Sequence, residues 1–251
     1  MYACSKVDVA GPQGPPGADG VAGSSNLTGS ISGKIRLYDS LGNPVSDNSG
    51  ATISLDSTSP LIQASSAGDG NFSLNSVKAG NYNLTASKQG YGAMHIFNFQ
   101  NTGGVNPSQT GNIEMGQQVS SNLDIRNLSV DTSSYGSYHF MVVTITLAHP
   151  QKTSNPVLLY ISHASGVGNQ SNDYVFRSNY FQQNDSTLIL SPLDISPSYY
   201  SDNLYRIDYL YMAAAFDNPH VFTYTDEMGN TVYPSAGKLS NEVKVYNIFK
   251  D

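Results

Sequence analysis

The strongest constraint on this chain is a period-two alternation of apolar and polar residues, with no stretch of helical period anywhere along it. It is clearest in residues 66–91, SAGDGNFSLNSVKAGNYNLTASKQGY. Gly68-Asp69-Gly70-Asn71 reads as a turn. Phe72 and Leu74 then alternate with Ser73 and Asn75. After Val77-Lys78-Ala79-Gly80, Tyr82, Leu84 and Ala86 alternate with Asn83, Thr85 and Ser87. Side chains of a strand point to opposite faces in turn, so each run predicts a strand with one face buried. Two such strands joined by a short turn predict hydrogen-bonded neighbours in one sheet, a β-meander. Phe72, Leu74, Tyr82 and Leu84 should face inward, opposed by Ile35, Leu37, Ile53 and Leu55 of neighbouring strands.

Upstream, Gly33-Lys34-Ile35-Arg36-Leu37-Tyr38 alternates in the same way, followed by a turn at Asp39-Ser40-Leu41-Gly42-Asn43-Pro44 and a strand at Ala51–Leu55. Further strands are expected at Leu61–Ala64, Met94–Phe99 and about Asn112–Gln117. Seven short strands with turn signals between them predict a sandwich. The order Asp-Gly-x-Phe-x-Leu, then Val-x-x-Gly-x-Tyr-x-Leu-x-x-Ser-x-x-Gly-Tyr, resembles the carboxypeptidase-regulatory-like, or transthyretin-like, domain over roughly residues 27–118. That resemblance implies a fold and little about function, because such modules accompany many surface proteins. Some similar domains carry a Lys–Asn cross-link, and Lys34 and Asn112 sit on suitable strands. Lys34, however, falls on the polar face, and the only Glu of the domain, Glu114, adjoins Asn112 instead of facing it.

Beyond Ser120 the strands lengthen and several are apolar on both faces, as central strands are: His139–Leu147, Val157–Ser162, Tyr174–Tyr180, Thr187–Leu190 and Tyr205–Ala215. Asp226-Glu227-Met228-Gly229-Asn230 reads as a hairpin turn between Val221–Thr225 and Thr231–Tyr233. Asn241–Val245 reads as an edge strand. The pattern resembles an immunoglobulin or fibronectin type III-like sandwich. The usual core Trp is missing, and Tyr205, Tyr209 and Tyr211 are expected to take up that volume.

The chain has a net charge of −7, no basic cluster and only 12% charged residues. Nucleic-acid binding draws its affinity from clustered Lys and Arg on phosphates, so that class is disfavoured. No apolar run is long enough to span a bilayer as a helix. The one cysteine, Cys4, excludes a disulfide within the sequence given. Tyr2-Ala3-Cys4-Ser5 resembles the end of a bacterial lipobox, which makes Cys4 the expected lipid-attachment site and implies a signal peptide before it. Gly11-Pro12-Gln13, Gly14-Pro15-Pro16, Gly17-Ala18-Asp19 and Gly20-Val21-Ala22 form a collagen-like run. Four triplets are few, and a stiff polyproline-II spacer is expected rather than a trimeric stalk. Such runs after a lipobox resemble those of Bacteroidetes-type surface lipoproteins.

Nucleophilic catalysis needs a Ser or Cys beside a base. No Gly-x-Ser-x-Gly elbow exists, and His95, His139, His149, His163 and His220 show no zinc-type spacing. Asp69-Gly70-Asn71 and Asp226-Glu227 fall short of a calcium loop, and their Asp and Asn suit turn capping. Surface aromatics remain: Tyr135, Tyr138, Tyr180, Tyr199 and Tyr200 lie in or near polar loops, as the rings of sugar-binding modules do, although packing in a Trp-free core accounts for most tyrosines.

The reading is therefore an all-β chain of two tandem β-sandwiches, transthyretin-like then immunoglobulin-like. Residues 1–26 form the lipobox remnant and spacer, 27–118 the first sandwich and 119–251 the second. The expected role is that of a non-catalytic, exported and monomeric lipoprotein, lipid-anchored to the outer membrane at the cell surface. It would present a structural or binding module to a glycan or surface-protein ligand, with no cofactor and no metal. The alternatives are a glycan-binding lipoprotein of a polysaccharide-uptake system, or an accessory subunit of a surface enzyme.

Overall fold

The computed structural model describes residues 27–120, 122–135, 138–168, 174–178, 180–193 and 208–246. Every regular element among them is a strand. The first seven are β1 (Thr28–Tyr38), β2 (Thr52–Leu55), β3 (Gln63–Ser65), β4 (Asn71–Lys78), β5 (Gly80–Ser87), β6 (Met94–Asn101) and β7 (Ser108–Gly116). They form two sheets, ordered β4-β1-β7 and β3-β2-β5-β6. Strand β1 runs antiparallel to β4 and parallel to β7.

The expected β-meander is not formed, because β4 and β5 lie in different sheets. Alternation specifies which face of a strand is buried; it does not say which strand lies alongside. Here Ile31 opposes Leu74 but Gly29 opposes Val77, so Asn75 and Ser76 form a bulge, with Ser76 at φ 58°. Such a bulge twists the end of a strand. The corner at Lys78–Gly80 then carries the chain across to the second sheet, where Leu84 pairs with Leu55 on one side and Ile96 on the other. Phe72, Leu74 and Val77 therefore meet the second sheet across the core.

The inward residues are those that alternation indicates. Ile35, Leu37, Ile53, Leu55, Phe72, Leu74 and Leu84 are buried in one cluster with Ile31, Ile113 and Met115, and half-buried Tyr82 packs on its margin. Lys34 and Asn112 are register partners, and the faces alternate so that their neighbours Ile35 and Ile113 supply the core.

The remaining strands are β8 (Ile125–Tyr135), β9 (Tyr138–Leu147), β10 (Val157–Ser162), β11 (Tyr174–Ser178), β12 (Tyr180–Asn184), β13 (Thr187–Leu193), β14 (Tyr209–Phe216), β15 (Tyr224–Thr225), β16 (Thr231–Val232) and β17 (Val243–Tyr246). Two four-stranded sheets, β11-β10-β14-β17 and β12-β13-β9-β8, enclose a second core, while β15 and β16 form a separate hairpin. That core is built from Met141, Val143, Ile145, Leu159, Leu188, Leu190, Met212 and Phe216. Strand β10 is buried at every position. Its other face, with Leu158 and Tyr160, joins Ala213 and Ala215 in a third cluster under the loops.

Three expectations change here. Strand β8 was not anticipated, its apolar residues Leu128 and Val130 being diluted by Ser, Asn, Asp and Thr. The expected strand Tyr174–Tyr180 is two strands, β11 and β12, in different sheets; a chain can turn a sandwich corner without an apolar gap. Tyr209 and Tyr211 do not fill a Trp-sized space in the core. Tyr209 is exposed and Tyr211 packs in the outer cluster, because the alternation of β14 sends Leu210, Met212 and Ala214 inward instead. Tyr205 lies outside the described residues.

Candidate functional site

The segment between β14 and β17 leaves the second sandwich and lies against the first. Gly92 and Gly116 make this possible. A Cβ on Gly116 would overlap the ring of Phe222, and one on Gly92 would overlap the backbone of Pro234. Only glycine permits so close an approach of backbone to neighbour. Amides pin the seam. Asn218 Nδ2 donates to the carbonyls of Asp39 at 2.8 Å and Gln117 at 3.2 Å. Asn155 Nδ2 donates to the carbonyls of Ser40 at 3.4 Å and Asp217 at 3.0 Å. Asn218 is fully buried, so its amide hydrogens meet carbonyls in place of water.

Behind the seam sits a buried ion pair. Arg177 Nε lies 3.1 Å from Asp217 Oδ2, with the Asp217 side chain wholly inaccessible. Arg177 Nη2 also donates to the carbonyls of Asn218 and Pro219, both at 2.8 Å. Burial pushes the Asp217 carboxyl above its ordinary range, against the opposing pull of Arg177. Burial likewise raises Tyr160, helped by the charge of Asp217.

Two turns repeat one device. Asp39 and Asp226 each accept from the N–H groups two and four residues on, and from the Asn side chain four residues on. For Asp226 these donors are Met228 N, Asn230 N and Asn230 Nδ2, at 2.8–3.1 Å. The N–H groups of Asn43 and Asn230, first among these contacts, hold the two carboxyls below their usual range. Asp69 accepts similarly from Asn71. The acidic turn residues thus cap their own turns. Among the described residues no three of His, Cys, Asp and Glu gather in a group able to hold a metal.

A cleft of about 390 Å³ opens where edge strands β6 and β7 of the first sandwich diverge. Residues 94–96 and 112–114 form its floor and sides, and residues 221–224 cross it from the seam segment. On one wall His95 stacks on Phe97 (5.8 Å, 12°) and meets Tyr224 at 5.1 Å. His95 and Phe97 share the outer face of β6. A bulge at Asn98, φ 55°, whose N–H donates to Asn83 Oδ1, shifts the phase so that Phe99 packs on the core. On the other side Phe222 and Glu114 line the cleft, and behind them Tyr38 stacks on His220 at 4.3 Å with Phe222 5.2 Å from Tyr38. Glu114 accepts from the Tyr38 hydroxyl at 3.0 Å and lies 3.5 Å from His220 Nε2. Burial, then the bond to Glu114, raises the Tyr38 hydroxyl.

His95 is oriented by a relay. Thr85 Oγ1 lies 2.9 and 3.0 Å from the two Asp56 oxygens and 3.0 Å from His95 Nδ1. A carboxylate only accepts, so the one hydroxyl proton of Thr85 goes to Asp56, and Thr85 accepts from His95 Nδ1–H. In the neutral ring Nε2 is then an acceptor. The order is carboxylate, hydroxyl, imidazole. In a hydrolytic triad the imidazole stands in the middle and draws the hydroxyl proton; here that proton points away from His95. A second, polar cavity of about 290 Å³ lies beside the seam between residues 40–41, 119–120, 122–123 and 151–155. It holds hydroxyls, amides and Lys152 but no aromatic ring.

Of the tyrosines singled out in the sequence, the structure describes three at least in backbone, Tyr135, Tyr138 and Tyr180. Tyr135 and Tyr138 are backbone partners at the end of the β8–β9 hairpin. Tyr180 is half-buried; its hydroxyl donates to the Thr153 carbonyl at 2.6 Å and its ring meets Phe216 edge-on. Tyr199, Tyr200 and Cys4 lie outside the described residues. His95, Asn112 and Glu114 carry no sign in the sequence of meeting in one cleft, because they and Tyr224 come from distant stretches. The one local signal was the outward pairing of His95 and Phe97 on an alternating strand.

No family model and no curated protein sequence matches the chain. Among solved structures, a DUF3823 family protein from Parabacteroides merdae is 14% identical over 87% of this chain and 98% of its own, with a TM-score of 0.31. A DUF3823 family protein from Bacteroides ovatus is 16% identical over the same shares, with a TM-score of 0.32. A chain of a type II cohesin–X-dockerin complex from Acetivibrio cellulolyticus is 19% identical over 38% of this chain, with a TM-score of 0.31, and the match spans 65% of that chain, just under two thirds. The likeness is one of fold at most. The class that the structure itself defines is an all-β protein of packed sandwiches.

Proposed function

We propose that this chain is a non-catalytic binding module displayed at a cell surface, its two sandwiches acting as one unit. Division at about residue 118, a lipid anchor on Cys4 and a spacer over residues 5–26 belong to the same reading. The observation that carries it is the docked segment 217–237: glycines, buried amides and an aromatic wall join the sandwiches around a cleft where His95 is oriented by a relay whose proton runs away from it. Rigid mutual docking aligns a binding surface in advance, which lowers the entropy lost on binding. A deep polar machinery for bond-breaking is not part of the reading.

The anchor is tested in cells producing the full-length gene product. Wild type is expected in the detergent phase with lipid on Cys4, and Cys4→Ala in the aqueous phase. Equal membrane retention of both forms would remove the anchor from the proposal. Sedimentation of the soluble chain is expected to give a monomer, with or without residues 5–24. A trimer that dissociates when they are deleted would restore a collagen-like stalk.

A further inference from the structure

We infer that the cleft between β6, β7 and residues 221–224 is a saccharide-binding site, an assignment that rests on the binding-module reading and gives it a ligand class. Three properties of the cleft point to this chemistry. The first is its polarity. No Lys or Arg lines it, so its lining holds no fixed cation to pair with a phosphate or carboxylate. It presents acceptors instead: the Glu114 carboxylate and, in the neutral ring, the Nε2 of His95, whose Nδ1 is committed to Thr85. Acceptors of this kind, with a carboxylate among them, favour a ligand dense in O–H donors and free of negative charge.

The second property is the aromatic surface. Tyr224 and His95 are half-buried and in contact, and Phe97 backs them at 6.2 and 5.8 Å. Rings held this way offer an apolar face beside polar tips, which suits the C–H face of a pyranose. The third is the exposed amide of Asn112, which supplies both a donor and an acceptor at the β7 edge and is bound to no side chain or carbonyl among the described residues. A volume of about 390 Å³ lies in the range of small-ligand sites. It takes one or two sugar rings, not a long chain. The flat sheet edges are also crossed by residues 221–224, which leaves no clear run for an added peptide strand.

The test uses the purified full chain and a panel of neutral oligosaccharides: cello-, xylo-, manno- and galacto-hexaoses. Titration calorimetry measures binding, and chromatography measures cleavage. At least one oligosaccharide is expected to bind wild type. Asn112→Ala, His95→Gln and Tyr224→Ala are each expected to weaken it about tenfold or more, while Tyr209→Ala on the remote sheet leaves it unchanged. Asn112 is exposed, so its variant should keep the wild-type melting curve and report on binding alone. Absence of binding to the whole panel overturns the assignment. Undiminished binding in Asn112→Ala and His95→Gln also removes the cleft, and leaves the module reading standing. Cleavage of a bound oligosaccharide would do the reverse, ending the non-catalytic reading while keeping the site.

Discussion

Leu84 and Thr85 are adjacent in β5, yet their side chains meet different worlds. Leu84 is buried between the sheets, and its truncation to Ala should destabilise the fold by about 2–5 kcal/mol through lost transfer energy and a cavity. Thr85→Ala removes a hydroxyl bonded to Asp56 and His95 and should cost roughly 1–2 kcal/mol. Chemical denaturation of the two variants decides the matter: equal losses would mean that the strand register is wrong. Asp217 and Arg177 give a second test at this scale. Because burial raises the Asp217 carboxyl above its value in the unfolded chain, the fold binds a proton more readily. Its stability therefore falls as pH rises from 3.8 through the folded value. Arg177→Ala should cost about 3–5 kcal/mol near neutral pH, and the deficit should shrink on acidification as Asp217 takes up a proton. A deficit that does not shrink as pH is lowered from neutral towards 3.8 contradicts that account. Asp39 and Asp226 behave oppositely. Their carboxyls are held below the ordinary 3.8, so their turns lose stabilisation only as pH falls beneath that value. NMR titration should place both midpoints below 3.8, with Asn43→Ala and Asn230→Ala moving them partway back.

At the scale of elements, the hairpin β15–β16 and the loop before it decide how the halves meet. The hairpin lies over the outer face of β5 and β6, where Asn83 Nδ2 donates to Glu227 Oε1 at 3.0 Å and Tyr224 packs on His95 and Phe97. Phe222 and Pro234 occupy the space that side chains on Gly116 and Gly92 would need. Gly116→Val should therefore displace Phe222 and loosen the seam, at a cost typical of overpacking, about 1–3 kcal/mol. Both sandwich cores, built from other residues, should persist. Amide exchange would show it: faster exchange at residues 217–237, with β1, β9 and β10 still protected. Protection unchanged along the seam would mean that the overlap relaxes without cost.

For the whole molecule, two cores joined by a buried seam predict coupled unfolding. Calorimetry of wild type should show one transition. Gly92→Val or Asn218→Ala should resolve two, because each core is large enough to melt by itself once the seam is weakened. Two transitions already present in wild type would mean that the seam contributes little.

Much of this was legible in residues 27–118, where alternation named the buried faces: Ile35, Leu37, Ile53, Leu55, Phe72, Leu74 and Leu84 are where period two puts them. The turns at Asp39 and Asp226 were legible too, since Asp, Gly and Asn at those offsets complete their hydrogen bonds locally. The neighbours were not. Phe72 and Leu84 bury equally well side by side in one sheet or face to face across two, and a bulge at Ser76 chose the latter. Nor was the cleft, whose His95, Glu114 and Tyr224 come from three distant stretches, legible from any one of them. Local chemistry determines which side of a strand is apolar and where the chain can turn. Only packing, in which Gly92 and Gly116 count for the side chains they lack, decides what comes to rest against them.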